Sequence, residues 1–505
     1  MTSHHKNIPI YLALTLAFIT CVRVLWIQHG WITNDSILYF EMARHFAAGE
    51  FKQAFAVESF SWGFYPGLIA IVHWLTGLSL QASANGLIVL FFMLLVWGLV
   101  RMVSLAGGNQ YTQSYAVLLL IGASYIVGDI LPMASRDLGY WAVMIHAVNQ
   151  LILFYQHGRW KHAIHWQLLG LLATLFRIEG AVQLLVLPLV GFMFSAKASR
   201  MIKAYALLIA GMLCLPLVML FSSLNLDDLG RVKELFTGLQ DIQLNVKQNL
   251  SQRVQVMRDQ VIGEPFQEYA WVTFLLAYFS IATLKCLSVA GWSPTLLAFA
   301  ERHSIKKSME PVAYKILLFW IALSWLIGCL ITFKVNLLSA RYVALFGFAL
   351  IIFASFALQR LLHDKRPVKM SRQAILGLSA IILMVGFVSN VKSKPETFYY
   401  EIDAVSYVKS RLMPGDQVLY SSAKQRFYAG AAFDTRFDYS WQALDKRIAA
   451  GELQQYEYIL LKCGDSIDEQ KKLAQLRRQL TAFKLEKVFY GHKNKKRVLI
   501  FKKAV

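Results

Sequence analysis

Charged residues stand beside or within apolar stretches at four points of this chain. The first is Asp35, in "WITNDSILYFEMARHF", directly after the first apolar segment. The other three stretches are "LPMASRDLGYW", "LFRIEGAVQLL" and "LLSARYVALF", which carry Arg136 with Asp137, Arg177 with Glu179, and Arg341 with Tyr342. Ionisable groups at membrane depth are costly and usually face an internal cavity and one another. We therefore expect these residues to converge on one face of a membrane.

The residue types suit chemistry on a phosphorylated substrate. A guanidinium group recognises phosphate through two parallel hydrogen bonds. A carboxylate can act as a general base and take a proton from an acceptor hydroxyl or amine. An apolar groove beside such groups could hold a lipid tail.

Two structural interpretations of the same residues remain open from the sequence. Asp35 precedes the helical pattern "SILYFEMARHF" and could be an N-cap, since Asp and Asn are favoured there. The pairs Arg136–Asp137 and Arg177–Glu179 could be structural ion pairs that fix the ends of helices.

The composition predicts a membrane protein. The chain has 505 residues, of which 57% are hydrophobic, and a mean hydropathy of +0.46. Many apolar runs are about 20 residues long, enough to cross a hydrocarbon core as a helix. We predict eleven spans, at 8–28, 83–103, 112–131, 140–156, 163–176, 180–196, 203–222, 270–289, 313–333, 340–360 and 373–390. The net charge of +21 fits cytoplasmic loops that face anionic lipid, and we expect no nucleic-acid partner.

The basic residues predict which side each loop faces. Alternate short loops carry Arg159 and Lys161; Lys197, Arg200 and Lys203; Arg302, Lys306 and Lys307; and Lys365, Arg366, Lys369 and Arg372. These loops should be cytoplasmic, which puts the N-terminus inside and the C-terminus outside. The segment 61–79 is apolar too, but counting it as a span would reverse every later loop. We interpret it as a re-entrant or juxtamembrane helix.

Two modules are expected. Residues 1–395 should form the membrane module, with outer loops at 29–82 and 223–269, the latter an amphipathic helical loop. Residues 396–505 should form a small extracytoplasmic α/β domain. Its pattern predicts a helix at "EIDAVSYVKSRL", strands at "QVLYSS" and "YEYILLK", a helix at "SIDEQKKLAQLRRQL" and a hairpin with a basic tip. The fold class is therefore mainly α, a polytopic helical bundle with a small C-terminal α/β domain.

The order of these motifs resembles the GT-C glycosyltransferases, and most closely their protein-mannosyltransferase and aminoarabinose-transferase branch. The resemblance rests on Asp35 in the first outer loop, Asp137 after the third span, the "RIEG" break and the late "ARY". It covers most of residues 8–390, including the "FYPG" segment, where that branch has a proline-bearing loop helix. The chain departs from the branch by having "GFYPG" where a charged Glu-Lys-Pro cluster is expected.

The resemblance implies a polyprenyl-phosphate sugar donor and sugar transfer on the outer face with inversion at the anomeric carbon. It implies that Asp35 is the base or positions the acceptor and that Asp137 is the second acidic residue. It also implies that Arg177 and Arg341 hold the donor phosphate, and Arg136, Glu179 and Tyr342 complete the expected substrate-binding set. No cofactor is expected, and a divalent cation is not indicated.

The sequence thus predicts a glycosyltransferase of a bacterial inner membrane with its site on the periplasmic side. The acceptor could be a glycan, a lipid or a protein. A transporter or flippase of a lipid-linked or anionic substrate is the alternative, because it would also place arginine in a membrane cavity. Transporters often show internal repeats, and we find none in this sequence.

Overall fold

The computed structural model describes residues 8–28, 32–57, 62–194, 198–211, 250–335, 337–363, 370–431 and 441–504. The chain divides into two compact units. The first comprises Met1–Trp26 and Ala82–Lys392, and the second comprises Ile27–Gln81 and Ser393–Val505. The predicted boundary between residues 395 and 396 stays a prediction, as does the predicted helical loop at 223–269, most of which lies outside the described residues.

Long apolar helices dominate the first unit. Its helices include α1 (Ile8–Ile27), α5 (Leu80–Leu105), α6 (Gln110–Ile121), α7 (Asp137–His157), α8 (Trp160–Phe176), α9 (Glu179–Val186), α10 (Ala198–Ala204), and then Ala270–Ser288, Trp292–Ala300, Arg302–Ser308, Pro311–Val335, Ala344–His363 and Met370–Val391. A π-helical segment, Ser124–Ile130, follows α6. Short 3₁₀ segments lie at Leu187–Phe194, Glu264–Tyr269 and Ala340–Val343.

Within the described residues, seven helices are long and apolar enough to cross a membrane, or eight if α6 and the π segment form one span bent by 52°. This confirms the polytopic helical fold. Two further predicted spans, 163–176 and 180–196, correspond to α8 and to Glu179–Phe194. Both are shorter than the helices counted as long enough to cross a membrane. The predicted span 203–222 extends beyond the described residues, so the count of eleven stays a prediction.

The two ends of the first unit carry different charge patterns. At the C-terminal end of α7, Gln156 donates to Glu310 (3.0 Å), and Gly158 lies beside the guanidinium of Arg200. Arg159 and Lys161 follow directly, so two of the basic loops meet here. The N-terminal end of α7, at Asp137, is about 30 Å away along the helix axis. Basic residues of two loops therefore gather at the C-terminal end of α7, and Asp137 lies at its opposite end.

The second unit combines residues from both ends of the chain. Its N-terminal part contains α2 (Asn34–Ala47), α3 (Phe51–Ala56) and α4 (Phe64–Thr76). With 13 residues, α4 is too short to cross a bilayer, which agrees with our interpretation of 61–79 as something other than a full span. Its helix ends at Gly77, whose φ of +69° suits a left-handed C-cap.

The C-terminal part of the second unit contains a four-stranded sheet in the order β1-β2-β4-β3. The strands are β1 (Val418–Tyr420), β2 (Tyr458–Gly464), β3 (Phe483–Tyr490) and β4 (Lys496–Lys503). β1 pairs with β2 in parallel, whereas β4 is antiparallel to both β2 and β3. The helices are Tyr400–Lys409, Ala423–Ala429, Trp441–Ala449 and Ile467–Gln479. The predicted α/β fold of this part is confirmed, and β3 with β4 forms the predicted hairpin.

Direct contacts join the two parts of the second unit. The Tyr399 hydroxyl donates to the Ile27 carbonyl oxygen (2.7 Å), and the Ile32 N–H donates to the Tyr428 hydroxyl (3.3 Å). The rings of Phe40 and Phe427 stack with their centroids 5.7 Å apart. The segment after α1 and the C-terminal residues are therefore one folded body.

Candidate active site

Asp137 opens α7 and is almost fully buried, with 1% of its surface exposed. A carboxylate in the first turn of a helix is stabilised by the helix dipole. Burial of that charge still requires a partner. α7 itself is fixed against α5, because the Asn149 side-chain amide donates to the Gly98 carbonyl oxygen (2.9 Å). Asp137 is thus held on a rigid, buried element.

Arg177 lies at the break between α8 and α9 and has extended backbone angles (φ −148°, ψ 135°). The chain turns sharply here, and Gly180 is what allows it to turn. A Cβ at position 180 would lie 2.8 Å from the backbone nitrogen of Thr174, a distance that real Cβ atoms do not tolerate. The "RIEG" sequence is therefore the break at which α8 ends and α9 begins, and Arg177 occupies it.

Arg177 links two carboxylates. Its Nη1 donates to Asp137 Oδ1, while its Nη2 and Nε donate to the two oxygens of Glu179 at 2.8 and 3.2 Å. The second contact has the planar fork geometry that makes arginine specific for carboxylates. Arg177 is 3% exposed, so its charge is neutralised inside the protein. The ion pair that was the structural interpretation of Arg177–Glu179 is therefore present at a helix end, and it also includes Asp137.

Arg341 and Tyr342 complete the cluster from the late "ARY" motif. Arg341 Nη1 lies 3.8 Å from Asp137 Oδ2, and its side chain is 29% exposed. The Tyr342 ring lies under both guanidinium groups, 4.5 Å from Arg177 Cζ and 5.6 Å from Arg341 Cζ. Such geometry permits a cation–π attraction to each. Three stretches that are far apart in sequence thus converge, and the side chain of Arg341 is more exposed than that of Arg177.

Tyr125 is a member of the site that sequence reasoning missed. Its hydroxyl accepts a hydrogen bond from the Arg341 N–H (2.9 Å) and lies 3.3 Å from Ser339 Oγ. Tyr125 belongs to the π-helical segment, an irregularity that is frequent at functional sites. The extra residue in that turn was not visible as a pattern in "IGASYIVGDI". Tyr125 fixes the backbone that presents Arg341.

Arg136 immediately precedes α7. It is half-buried, and its carbonyl oxygen accepts from the Tyr140 N–H (3.1 Å). Its position places it next to Asp137 along the chain.

Asp35 belongs to the second unit, in the first turn of α2. The N-cap of this helix is Thr33, whose hydroxyl accepts from the Ser36 N–H (3.1 Å). The Ser36 hydroxyl in turn accepts from the Thr33 N–H (3.2 Å). The interpretation of Asp35 as the N-cap is therefore wrong. Asp35 is half-buried and lies near the N-terminus of the helix, where the helix dipole stabilises a carboxylate.

The same unit also contains an apolar groove between α2, α3 and α4. Its volume is about 680 Å³, and aromatic side chains including Phe46, Phe55 and Trp74 line it. Glycines at positions 49, 63 and 67 also line it. A groove of this size and composition suits an apolar ligand.

Two solved structures share the fold of the chain. One is the crystal structure of ArnT from Cupriavidus metallidurans in the apo state, with 12% sequence identity, a TM-score of 0.56 and a match that covers 97% of each chain. The other is the archaeal oligosaccharyltransferase AglB from Archaeoglobus fulgidus, in complex with an inhibitory peptide and a dolichol-phosphate. That match has 11% identity and a TM-score of 0.50, and covers 91% of this chain and 70% of AglB. No protein-family model matches the chain, and no curated protein matches its sequence.

Proposed function

Because the chain has the GT-C fold of membrane glycosyltransferases, we propose that it transfers a sugar from a polyprenyl-phosphate donor to an acceptor at the outer face of the membrane. The observation that carries this proposal is the cluster of Asp137, Arg177, Glu179 and Arg341 in the first unit. Buried ionisable groups at the end of a membrane helix are costly. A reaction between a lipid phosphate and a polar acceptor gives them a use.

We assign different roles to the two arginines. Arg177 is committed to Asp137 and Glu179 and positions the cluster. The side chain of Arg341 is more exposed than that of Arg177, 29% against 4%, and we assign it to the donor phosphate. That the phosphate also contacts Arg177 stays a prediction. AglB was solved with a dolichol-phosphate, which supports a donor of this chemical class.

The proposed reaction is a single displacement. In the role that the sequence resemblance implies for it, Asp35 takes the proton of an acceptor hydroxyl or amine, and the acceptor atom attacks the anomeric carbon. The bond from that carbon to the phosphate oxygen breaks, and the lipid phosphate leaves with the electron pair. Arg341 stabilises the charge that develops on the leaving oxygen. Attack opposite the leaving group inverts the anomeric carbon.

Asp35 suits the base role better than Asp137. A base needs a carboxylate that the substrate can reach. Asp137 is 1% exposed and already accepts from Arg177, whereas Asp35 is half-buried on α2. Asp137 remains the second candidate.

A transfer assay tests the proposal. Purified protein in detergent is mixed with a short-chain polyprenyl-phosphate sugar and a panel of glycan, lipid and peptide acceptors, and the release of polyprenyl phosphate is measured. The flippase alternative predicts no release, but movement of a fluorescent lipid-linked sugar across proteoliposomes. Movement without release would reject the glycosyltransferase.

The donor role of Arg341 gives the first prediction. Replacing it by alanine removes one charge-assisted contact, which costs about 1.5–3 kcal/mol. The donor Michaelis constant or turnover should therefore worsen by roughly 10- to 150-fold. Arg341→Lys should recover only part of the loss, because an ammonium lacks the planar fork. Arg302→Ala, at an exposed basic position of the same unit, is the matched control. An Arg341→Ala variant that is folded and kinetically normal would remove the phosphate role.

The second prediction concerns sidedness. The second unit joins the segment after α1 to the C-terminal residues, so both should lie on one side, and an even number of crossings should separate residues 82 and 392. The predicted ten spans satisfy this. The positive-inside rule then places the unit outside and the 290–312 loop in the cytoplasm.

Two exposed serines, Ser308 and Ser410, allow a matched test. In a Cys214→Ser background, Ser410→Cys should react with an impermeant maleimide on intact cells. Ser308→Cys should react only after permeabilisation. The four described cysteines are buried and should contribute little background. The reverse labelling pattern would overturn the orientation and the outer-face site with it.

A further inference from the structure

A second cavity, lined by charged residues, lies in the C-terminal part of the second unit. Its volume is about 310 Å³, at the lower end of the range of small-ligand pockets. The ionisable side chains that line it are Glu401, Lys424, Lys462, His492, Lys495 and Lys496. Four lysines against one glutamate give the cavity a strong positive charge.

Glu401, the one carboxylate in the lining of the cavity, has its partners within the protein. Glu401 is 6% exposed, and its Oε1 lies 2.8 Å from Lys462 Nζ. The Ser422 hydroxyl donates to Oε2 (3.0 Å), and the Tyr400 hydroxyl donates to Oε1 (3.3 Å). Glu401 therefore neutralises the charge of Lys462. The other three lysines leave the cavity with a net positive charge.

Lys424 lies partly buried among the other charges of the cavity. Burial lowers the pKa of its ammonium group, and Lys462 and Lys496 lower that pKa further, against the opposing effect of Glu401. Confining several like charges is unfavourable. An anion bound among them would relieve this repulsion.

The hairpin between β3 and β4 forms the rim. Lys493 and Asn494 have positive φ angles of 55° and 58°, a conformation that non-glycine residues adopt at some cost. A Cβ at Gly491 would lie 2.9 Å from the Lys496 carbonyl oxygen and 3.2 Å from the Tyr400 ring. The His492 ring packs on Phe398 at a centroid distance of 4.9 Å. The rim is thus tightly built and gives the cavity one apolar wall.

We propose that this cavity binds a phosphomonoester carried on a small polar body such as a sugar. A phosphomonoester has a charge between −1 and −2 near neutral pH, which matches the lysine excess, and lysine is a frequent phosphate ligand. The phosphomonoester could belong to a soluble sugar phosphate or to a lipid headgroup. This site is distinct from the arginine cluster of the first unit, and the proposal does not depend on transfer activity.

Binding to the full-length protein tests the inference. Ribose 5-phosphate and ribose are titrated calorimetrically, and nanodiscs containing phosphatidic acid are compared with nanodiscs containing phosphatidylglycerol. Lys424→Gln/Lys496→Gln should weaken phosphomonoester binding at least about tenfold. The matched control, Lys471→Gln/Lys484→Gln, changes the net charge equally at exposed positions outside the cavity and should bind normally.

The two arms identify the source of the phosphate. Preference for ribose 5-phosphate over ribose supports a soluble ligand, and preference for phosphatidic acid supports a headgroup. Lys495→Gln/Lys496→Gln alters only exposed lysines and gives a second variant should Lys424→Gln disturb folding. Equal binding by the cavity and control variants, or equal binding of ribose and ribose 5-phosphate without any headgroup preference, would overturn the proposal.

Discussion

Replacing Asp35 by asparagine should lower the rate of sugar transfer by about 10²- to 10⁴-fold, the usual contribution of a general base. Donor affinity should survive, because the proposed phosphate contact is made by Arg341. The fold should survive too. Thr33 and Ser36 form the capping box of α2, and loss of a carboxylate in the first turn costs at most about 1 kcal/mol.

The measurement is single-turnover transfer on protein that elutes as a monodisperse peak and still binds donor. Glu50→Gln provides the control. Its carboxylate lies in the same segment and pairs with His45 at 2.6 Å, yet no role in the reaction is proposed for it. Turnover close to wild type in Asp35→Asn would reject Asp35 as the base, and Asp137→Asn would then be the variant to test.

The convergence of three of the four charged stretches could be predicted from the sequence for a physical reason. Lipid gives an isolated charge no acceptable environment, so Asp137, Arg177 and Arg341 had to find partners in the protein. The sequence alone could not show which carboxylates would pair with Arg177. Glu179 is two residues from Arg177, but Asp137 is forty residues away and is brought to it by the packing of α7 on α8.

Other features depended on tertiary contacts that leave no local pattern. No sequence pattern in residues 27–81 indicates that they pack with the C-terminal residues. The contacts of Phe40 and Ile32 are an apolar ring contact and a backbone hydrogen bond, and such contacts need no special motif. The cap of α2 was within reach of sequence reasoning. Thr33 stands three residues before Ser36, but Asn34 and Asp35 are equally good capping residues, and side-chain type alone does not choose among three neighbours.

Arg177 should be the residue of the cluster whose loss costs the most stability. Arg177→Ala leaves Asp137 and Glu179 close together and largely buried without their shared cation. Removing one member of a buried ion pair costs about 3–5 kcal/mol. Arg177→Lys should recover part of this, since a single ammonium cannot donate to both carboxylates in the geometry of the fork. Arg302→Ala, at an exposed site, should change stability by about 1 kcal/mol or less.

The decisive comparison adds neutral carboxylate substitutes to the same arginine change. In the triple variant Arg177→Gln/Asp137→Asn/Glu179→Gln no buried charge of the trio remains, so it should unfold less readily than Arg177→Ala even though it lacks more native ion pairs. Resistance to unfolding by SDS, followed by tryptophan fluorescence, measures the order of the variants. If Arg177→Ala is as stable as wild type, the cluster is not buried as described. If the triple variant is no more stable than Arg177→Ala, stranded charge is not the cause of the loss, and Arg177 acts by packing against Tyr342 instead.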